Sequence, residues 1–253
     1  MRTLVHLSDL HFNRVDRDVV DALADAVIAA QPDLVAVSGD LTQRARRGQF
    51  RNARAFLDRL PRPQIVVPGN HDLPLFNLVA RACVPRRGFR RHVTADLQPR
   101  HHDEELLVLG VDTTHALSDE GAIRQRDIAR VLNLVADAGE RAVTVVVCHH
   151  PVDRTVETLA RGGVDVFLTG HLHVSSTAHT AERFGGSGFS AIVVEGGTAT
   201  STRFRGEGNA FNILRIEPGA IVVEHFEWRP ARRRFDLLET QRFVRVRDGW
   251  FPA

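Results

Sequence analysis

Short apolar runs rich in β-branched residues recur through the first two thirds of the chain, at residues 4–7, 34–37, 65–67, 106–111, 143–147 and 164–168. They are continuous rather than alternating, the pattern of strands buried on both faces. Between them, residues 19–30, 50–60, 126–138 and 155–160 carry good helix formers with apolar positions at helical spacing. This alternation predicts an α/β fold around a largely buried sheet. After residue 185 the texture changes, and 191–194, 211–216, 221–228 and 242–246 read as strands joined by short turns with little helix. They predict an antiparallel continuation, and a core of two sheet layers with helices outside.

Pro61, Pro63 and Pro68 bracket the third strand, and Pro218-Gly219 marks a turn between two later ones. Residues 85–105 are irregular and charged and read as a surface excursion. No internal repeat or low-complexity linker divides the chain. One domain over residues 1–253 is therefore expected, with 218–253 as a β-rich C-terminal extension.

Composition removes several chemistries. The chain has 253 residues, 43% hydrophobic and 25% charged, with a net charge of +2. That is the balance of a globular protein without a strong whole-molecule field for nucleic acid or anionic membrane. There is no lysine and no tyrosine, which excludes lysine nucleophiles, Schiff bases and tyrosine acid–base chemistry. Cys83 and Cys148, far apart, make neither a disulfide framework nor a cysteine-rich zinc site, and fit a reducing cytoplasm. The stretch 3–7 is too short and polar for an export signal, and no run reaches the roughly 18–20 apolar residues of a membrane span. A cytoplasmic protein without a membrane partner is expected.

Five of the strand runs end in related residues: Asp9-Leu10-His11, Gly39-Asp40, Gly69-Asn70-His71-Asp72, Cys148-His149-His150-Pro151 and Gly170-His171-Leu172-His173. In an open α/β sheet the ligand site lies outside the carboxyl ends of the strands, so these blocks meet at one edge. Oxygen and imidazole donors suit Mn, Fe or Zn better than Ca. Seven such donors, Asp9, His11, Asp40, Asn70, His149, His171 and His173, are too many for one ion and fit two, with Asp40 as the natural bridge. Two ions ~3.5–4 Å apart clamp the attacking and leaving oxygens of a phosphoryl displacement. Cys148 reads as a small buried apolar residue, and Asp112 as a turn or site-wall residue. His115 is a candidate substrate contact. His150 would point away from His149 on an extended segment, with a supporting role and a substrate contact both open. His6 reads as a solvated or core-edge histidine.

The five ordered blocks, spanning residues 9–173, resemble the signature of the calcineurin-like metallophosphoesterases: D-x-H, G-D, G-N-H-D/E, H and G-H-x-H. The resemblance implies a four-layered α/β–β/α sandwich with a dinuclear site at the strand carboxyl ends. By position, Asp9, His11, Asp40 and His173 would hold the first ion, and Asp40, Asn70, His149 and His171 the second. His71 would protonate the leaving oxygen or stabilise phosphoryl charge, with Asp72 orienting it. The implied reaction is attack on a phosphodiester by a metal-bridging hydroxide, with Mn and/or Fe as the expected metals and Zn a further candidate.

A narrower resemblance, to the bacterial class III cyclic nucleotide phosphodiesterase branch, lies in residues 197–212. There the hydroxyls of Thr198, Thr200, Ser201 and Thr202 and the guanidinium groups of Arg203 and Arg205 are candidate phosphate or ribose contacts. A small phosphodiester is the expected partner, a 3′,5′-cyclic nucleotide such as cAMP first. A broad or glycerophosphodiester phosphodiesterase, a phosphomonoesterase or nuclease, and a non-catalytic scaffold of the same fold are the alternatives. The arginines at 229, 232, 233, 234, 242, 245 and 247 read as a solvated strand face or a subunit contact of a homodimer rather than a nucleic-acid surface.

Overall fold

The computed structural model describes the chain except residues 119, 140–141, 152, 185–188, 203–206 and 248, and the side chains of 153–154 and 183–184. In chain order the described elements are β1 (Arg2–Leu7), α1 (Arg17–Ala29), β2 (Leu34–Val37), α2 (Arg47–Leu57), β3 (Gln64–Val66), α3 (Leu78–Cys83), α4 (Arg87–His92), β4 (Arg100–His102) and β5 (Leu106–Gly110). Then follow α5 (Gln125–Ala138), β6 (Val143–Val147), α6 (Asp153–Arg161), β7 (Val166–Thr169), β8 (Ser176–His179), α7 (Thr180–Phe184), β9 (Ile192–Glu195), β10 (Ala210–Glu217), β11 (Ala220–Arg229), β12 (Arg234–Val246) and β13 (Gly249–Pro252).

The strands form two sheets, one ordered β13-β12-β11-β10-β1-β2-β3 and the other β4-β5-β6-β7-β9-β8. The continuous apolar runs are explained by what covers each face. Leu4, Leu34, Ala36 and Ile65 from the first sheet pack against Val108, Val145, Val147 and Leu168 from the second. The alternate residues Val5, Leu7, Val35 and Val37 meet Val19, Leu23 and Val27 of α1 and Phe50 and Phe56 of α2. On the far side Leu107, Leu109, Val146 and Phe167 meet Val131 of α5 and Val156 and Leu159 of α6. A period-2 backbone with both faces dry needs apolar residues at every position, and the result is helix, sheet, sheet, helix, as expected.

Three short strands went unanticipated. Residues 85–105, expected as an irregular excursion, contain α4 and the edge strand β4, whose Arg100, His101 and His102 pair antiparallel with Leu109, Val108 and Leu107. An edge strand with one solvated side tolerates charged residues, so its sequence carries no apolar signal. β8 and β13 are also edge strands, and β12 begins at Arg234 rather than 242, its first half carrying little apolar signal because most of its side chains face solvent. The C-terminal strands continue the first sheet, and Trp250 seals the far end, donating from Nε1 to Asp165 Oδ1 at 2.8 Å. No helix among the described residues is long and apolar enough to cross a membrane.

Candidate metal centre

The loops leaving β1 and β2 run side by side. Asp9 N donates to Gly39 O at 3.2 Å, His11 N to Asp40 O at 2.9 Å and Phe12 N to Leu41 O at 2.9 Å. Asp9, His11, Asp40, His171 and His173 all have left-handed backbone, with φ of 53°, 47°, 54°, 75° and 60°. Such conformations are costly for non-glycine residues and persist where the surroundings over-determine them. The glycine before Asp40 has no alternative: Gly39 has φ 95°, and a Cβ there would lie 2.8 Å from Gly69 N. A Cβ on Gly69 would in turn strike the Asp40 carboxylate.

These turns bring all seven expected donors together. Asp9, His11, Asp40 and His173 offer atoms within 4.8 Å of one another. His11 Nε2 lies 3.4 Å from Asp9 Oδ1, 3.6 Å from Asp40 Oδ2 and 3.1 Å from His173 Nε2. Beside them, His149 Nε2 is 3.4 Å from the same Asp40 Oδ2 and 3.1 Å from Asn70 Oδ1, which is 3.2 Å from His171 Nδ1. Asp40 Oδ2 therefore faces both groups, while Oδ1 accepts from His71 N at 2.8 Å.

The hydrogen bonds around the donors leave lone pairs aimed inward. His149 Nδ1 donates to Ser38 O at 2.7 Å, so in the neutral ring Nε2 carries the lone pair. Asp9 Oδ2 accepts from Ser8 Oγ at 2.6 Å and His171 N at 3.1 Å, and its buried Oδ1 has no hydrogen-bond partner. Two imidazole nitrogens facing each other beside two buried carboxylates form a donor set that fits a cation. The electrostatics agree. Burial would raise both aspartates, yet His11 and His173 at Asp9, and His149 at Asp40, hold both below the usual carboxylate range. Burial opposes the charge on His149, but Asp40 raises it to about 9, so without a cation a proton sits on Nε2 beside Asp40, the place a metal would take.

His71 lies beside these donors, its ring 4.9 Å from that of His11. Its Nδ1 is 2.9 Å from Gln43 O and donates there, which presents Nε2 on the other side of the ring. Gln43 was not singled out from sequence; its place just after the Gly39-Asp40 block is the signal that could have found it. Asp72, the residue expected to orient His71, works through the backbone of the surrounding loops. It accepts from Leu41 N, Thr42 N and Gly69 N at 3.1, 2.9 and 3.0 Å, fixing the loops that carry Asp40 and His71. Burial, and then Asp40, push its carboxyl up to about 6.

His150 does not point away. β6 ends at Val147, so the alternation of an extended strand no longer governs the next residues. The ring comes to rest 4.7 Å from those of both His149 and His171. Thr113 Oγ1 accepts from His150 N at 3.2 Å and lies 2.9 Å from Nδ1, where its hydroxyl can donate and leave the ring proton on Nε2. That Nε2 is buried without a partner. Burial, with His149 and His171 nearby, lowers His150 to about 3, so it is neutral.

The remaining candidates divide. His115 is exposed, its Nδ1 accepting from Leu117 N at 3.3 Å, and it is not drawn into the donor cluster. Asp112 is a turn residue, capping Thr114 and pairing with Arg86 at 2.6 Å. Arg203 and Arg205 lie outside the described residues. Of the four candidate hydroxyls, those of Thr198 and Thr200 are already engaged: Thr198 Oγ1 donates to Asp9 O at 2.9 Å and Thr200 Oγ1 to Leu10 O at 2.6 Å. This segment braces the first ligand loop, a role that only the tertiary fold reveals. His6 is fully buried rather than solvated, 2.9 Å from Ser38 Oγ, and burial pushes it down to about 3. Cys148 is buried and its thiol is pushed up to about 12, so it is not a nucleophile.

Two face-to-face sheets flanked by helices, with a buried Asp/His donor cluster at the strand carboxyl ends, define a metallophosphoesterase fold. The pattern of the calcineurin-like phosphoesterases matches residues 2–175, and the chain belongs to that family. It is 30% identical over 164 residues to the glycerophosphodiester phosphodiesterase GpdQ of Enterobacter lignolyticus (strain SCF1), covering 58% of this chain and 56% of that relative. The chain thus matches only about half the length of that curated relative. Among solved structures, purple acid phosphatase PPD1 from yellow lupin (Lupinus luteus) seeds superposes with a TM-score of 0.71 at 11% identity, over 95% of this chain and 53% of that one. A predicted phosphoesterase of Streptococcus pneumoniae TIGR4 gives a TM-score of 0.52 at 13% identity, over 96% and 98% of the two chains. These two are likenesses of fold.

Proposed function

We propose that the chain is a metal-dependent phosphodiesterase acting on small phosphodiesters. In this reading Asp9, His11, Asp40 and His173 hold one ion, and Asp40, Asn70, His149 and His171 a second. The observation that carries it is Asp40 Oδ2, shared between two donor groups at 3.6 Å from His11 Nε2 and 3.4 Å from His149 Nε2. When bound, the two ions neutralise non-bridging phosphoryl oxygens and lower the pKa of coordinated water. The mixture of carboxylate, amide and imidazole donors favours Mn and/or Fe, with Zn also accommodated.

The chain's own residues supply the rest. His71, with Nδ1 donating to Gln43 O, presents Nε2–H to the departing alkoxide and delivers its proton there. Gln43 O steadies the charged ring beforehand. Asp72 keeps the His71 and Asp40 loops in register through three backbone donors. His150 presents a neutral Nε2–H donor on the His149–His171 side.

Glycerophosphodiesters and 3′,5′-cyclic nucleotides are the two substrate classes to separate. The first is favoured by the GpdQ relative, the second by the resemblance of residues 197–212, which loses weight because Thr198 and Thr200 spend their hydroxyls on backbone carbonyls. One thiol exposed at Cys83 and one buried at Cys148 support a cytoplasmic setting. The test is metal analysis and hydrolysis by Mn²⁺-reconstituted protein. Bis(p-nitrophenyl) phosphate, 3′,5′-cAMP and glycerophosphoethanolamine are the substrates. Two ions per chain with diester hydrolysis supports the reading; one ion with full activity, or monoester hydrolysis alone, overturns it.

A further inference from the structure

The net charge of +2 conceals a strong local imbalance. Residues 41–57 contain five arginines and no acidic residue, and residues 73–95 contain another five and again none. The fold joins these segments: Phe50 of α2 stacks on His92 of α4, ring centroids 6.0 Å apart, and the missing side chain of Gly88 lets α4 approach the Phe50 ring. Three of the ten arginines are engaged, Arg54 with Asp58, Arg86 with Asp112 and Arg81 with Ala116 O. Among the described residues, the side chains of Arg44, Arg46, Arg47, Arg51, Arg87, Arg90 and Arg91 reach no carboxylate. All seven are exposed. The C-terminal arginines that stand out in the sequence behave differently, since Arg229, Arg232, Arg233, Arg234 and Arg245 each face an acidic residue.

An apolar patch lies against this basic surface. The six residues of α3 include Leu78, Val79 and Cys83, yet none is buried. Phe76, Leu78, Val79 and Leu117 are 68%, 73%, 75% and 82% exposed. Arg81 Nε, bonded to Ala116 O at 2.6 Å, holds α3 beside the loop that carries Leu117. Contiguity with the arginines is direct: Arg44 lies 5.2 Å over the Phe76 ring, and Val84 shares one open cleft with Arg87, Arg90 and Arg91. Clusters of large exposed apolar side chains mark interaction surfaces.

The surroundings decide what covers it. A second copy would set the same patch against itself about a two-fold axis, arginine against arginine. A nucleic acid would find the charge but mostly aliphatic side chains, with one exposed ring, where stacking platforms are needed. Protruding aliphatic residues rimmed by arginine match a bilayer interface with anionic headgroups, the apolar tips entering the acyl boundary and the guanidinium groups meeting phosphate. We propose that α3 with Phe76 and Leu117, flanked by the arginines of α2 and α4, docks the protein onto an anionic lipid surface. The arginine-rich stretch begins at Arg44, four residues after Asp40, so the docking surface adjoins the loop that carries this metal-centre residue.

The test is co-sedimentation of the full chain with vesicles of phosphatidylcholine alone, or with about 30 mol% phosphatidylglycerol. Wild type should sediment only with the anionic vesicles. L78D/V79D and R87E/R91E should each lower the partition coefficient at least about tenfold, and about 0.5 M NaCl should weaken wild-type binding. Circular dichroism and hydrolysis of bis(p-nitrophenyl) phosphate by L78D/V79D should match wild type, which separates failure of docking from failure of the proposed reaction. Three results would overturn the proposal. The first is no dependence on phosphatidylglycerol. The second is a solution dimer, by light scattering, that L78D/V79D dissolves. The third is binding of a single-stranded oligonucleotide that R87E/R91E abolishes and L78D/V79D leaves intact.

Discussion

Replacing Asp40 by asparagine keeps the shape of the side chain and removes one charge. Oδ1 accepts from His71 N at 2.8 Å, and the amide oxygen of the variant keeps that place because the amide nitrogen cannot accept. The NH₂ group is then forced into the position of Oδ2, 3.4 Å from His149 Nε2 and 3.6 Å from His11 Nε2. A donor replaces a ligand at both ion positions at once. At about 100 Kd of free metal each occupied site stabilises the fold by about 2.7 kcal/mol. Unfolding entropy of about 2.1 cal/mol/K for each of 253 residues is about 0.5 kcal/mol/K. Wild type should therefore gain about 5 °C in Tm per site, about 10 °C for two. If D40N weakens both sites about 100-fold, each contributes about 0.4 kcal/mol and the total gain falls below about 2 °C. H171A touches only the second group and should retain about half the wild-type shift. Differential scanning fluorimetry with Mn²⁺ against chelated protein reads all three. Equal shifts for D40N and H171A, or a full shift for D40N, would refute the shared bridge.

The other predictions are simpler. H71A should keep the Mn²⁺-dependent Tm shift and lower kcat by ~10²–10⁴ for alkyl esters, but by much less for nitrophenolate esters, which need no proton; an equal loss for both would count against the acid role. T113V strands His150 N and Nδ1 in a buried site, which costs about 1–3 kcal/mol and should lower Tm by about 2–6 °C; an unchanged Tm would show that these bonds contribute nothing. A native thiol titration should count one reactive cysteine, the exposed Cys83, and two after denaturation, because Cys148 is buried and its thiol is pushed up to about 12; two equivalents from the native protein would contradict that burial.

The parts of the fold legible in the sequence are those where one physical cause acts alone. Val35 and Ala36 face different cores, yet both cores are dry, so a continuous apolar run reads directly as a doubly covered strand. The donor blocks were legible because each couples a rare residue type to a strand end. What stayed hidden depended on partners distant in the chain. Arg100 to His102 become a strand only because β5 offers an edge. Thr198 and Thr200 look like substrate hydroxyls until the Asp9 loop is seen to lie against them. His150 was misdirected by extending strand geometry past Val147, where β6 stops. The arginine surface escaped notice because a whole-chain sum of +2 averages over position.

The left-handed ligands give the last link between fold and chemistry. Five of the seven donors sit at positive φ, a conformation that costs roughly 1–3 kcal/mol for each such residue. Together that approaches the roughly 5–15 kcal/mol net stability of a whole domain, so local preference alone would straighten these turns. They are held from outside. Gly39 O and Asp40 O take the N–H groups of Asp9 and His11, Thr198 and Thr200 hold the Asp9 and Leu10 carbonyls, and Asp9 Oδ2 takes His171 N. Asp72 ties the Asp40 loop to Gly69. Every one of these restraints joins segments that the two sheets have already brought together. The donors are therefore arranged by the fold, and a metal entering the centre need not spend binding energy on ordering the loops that carry them.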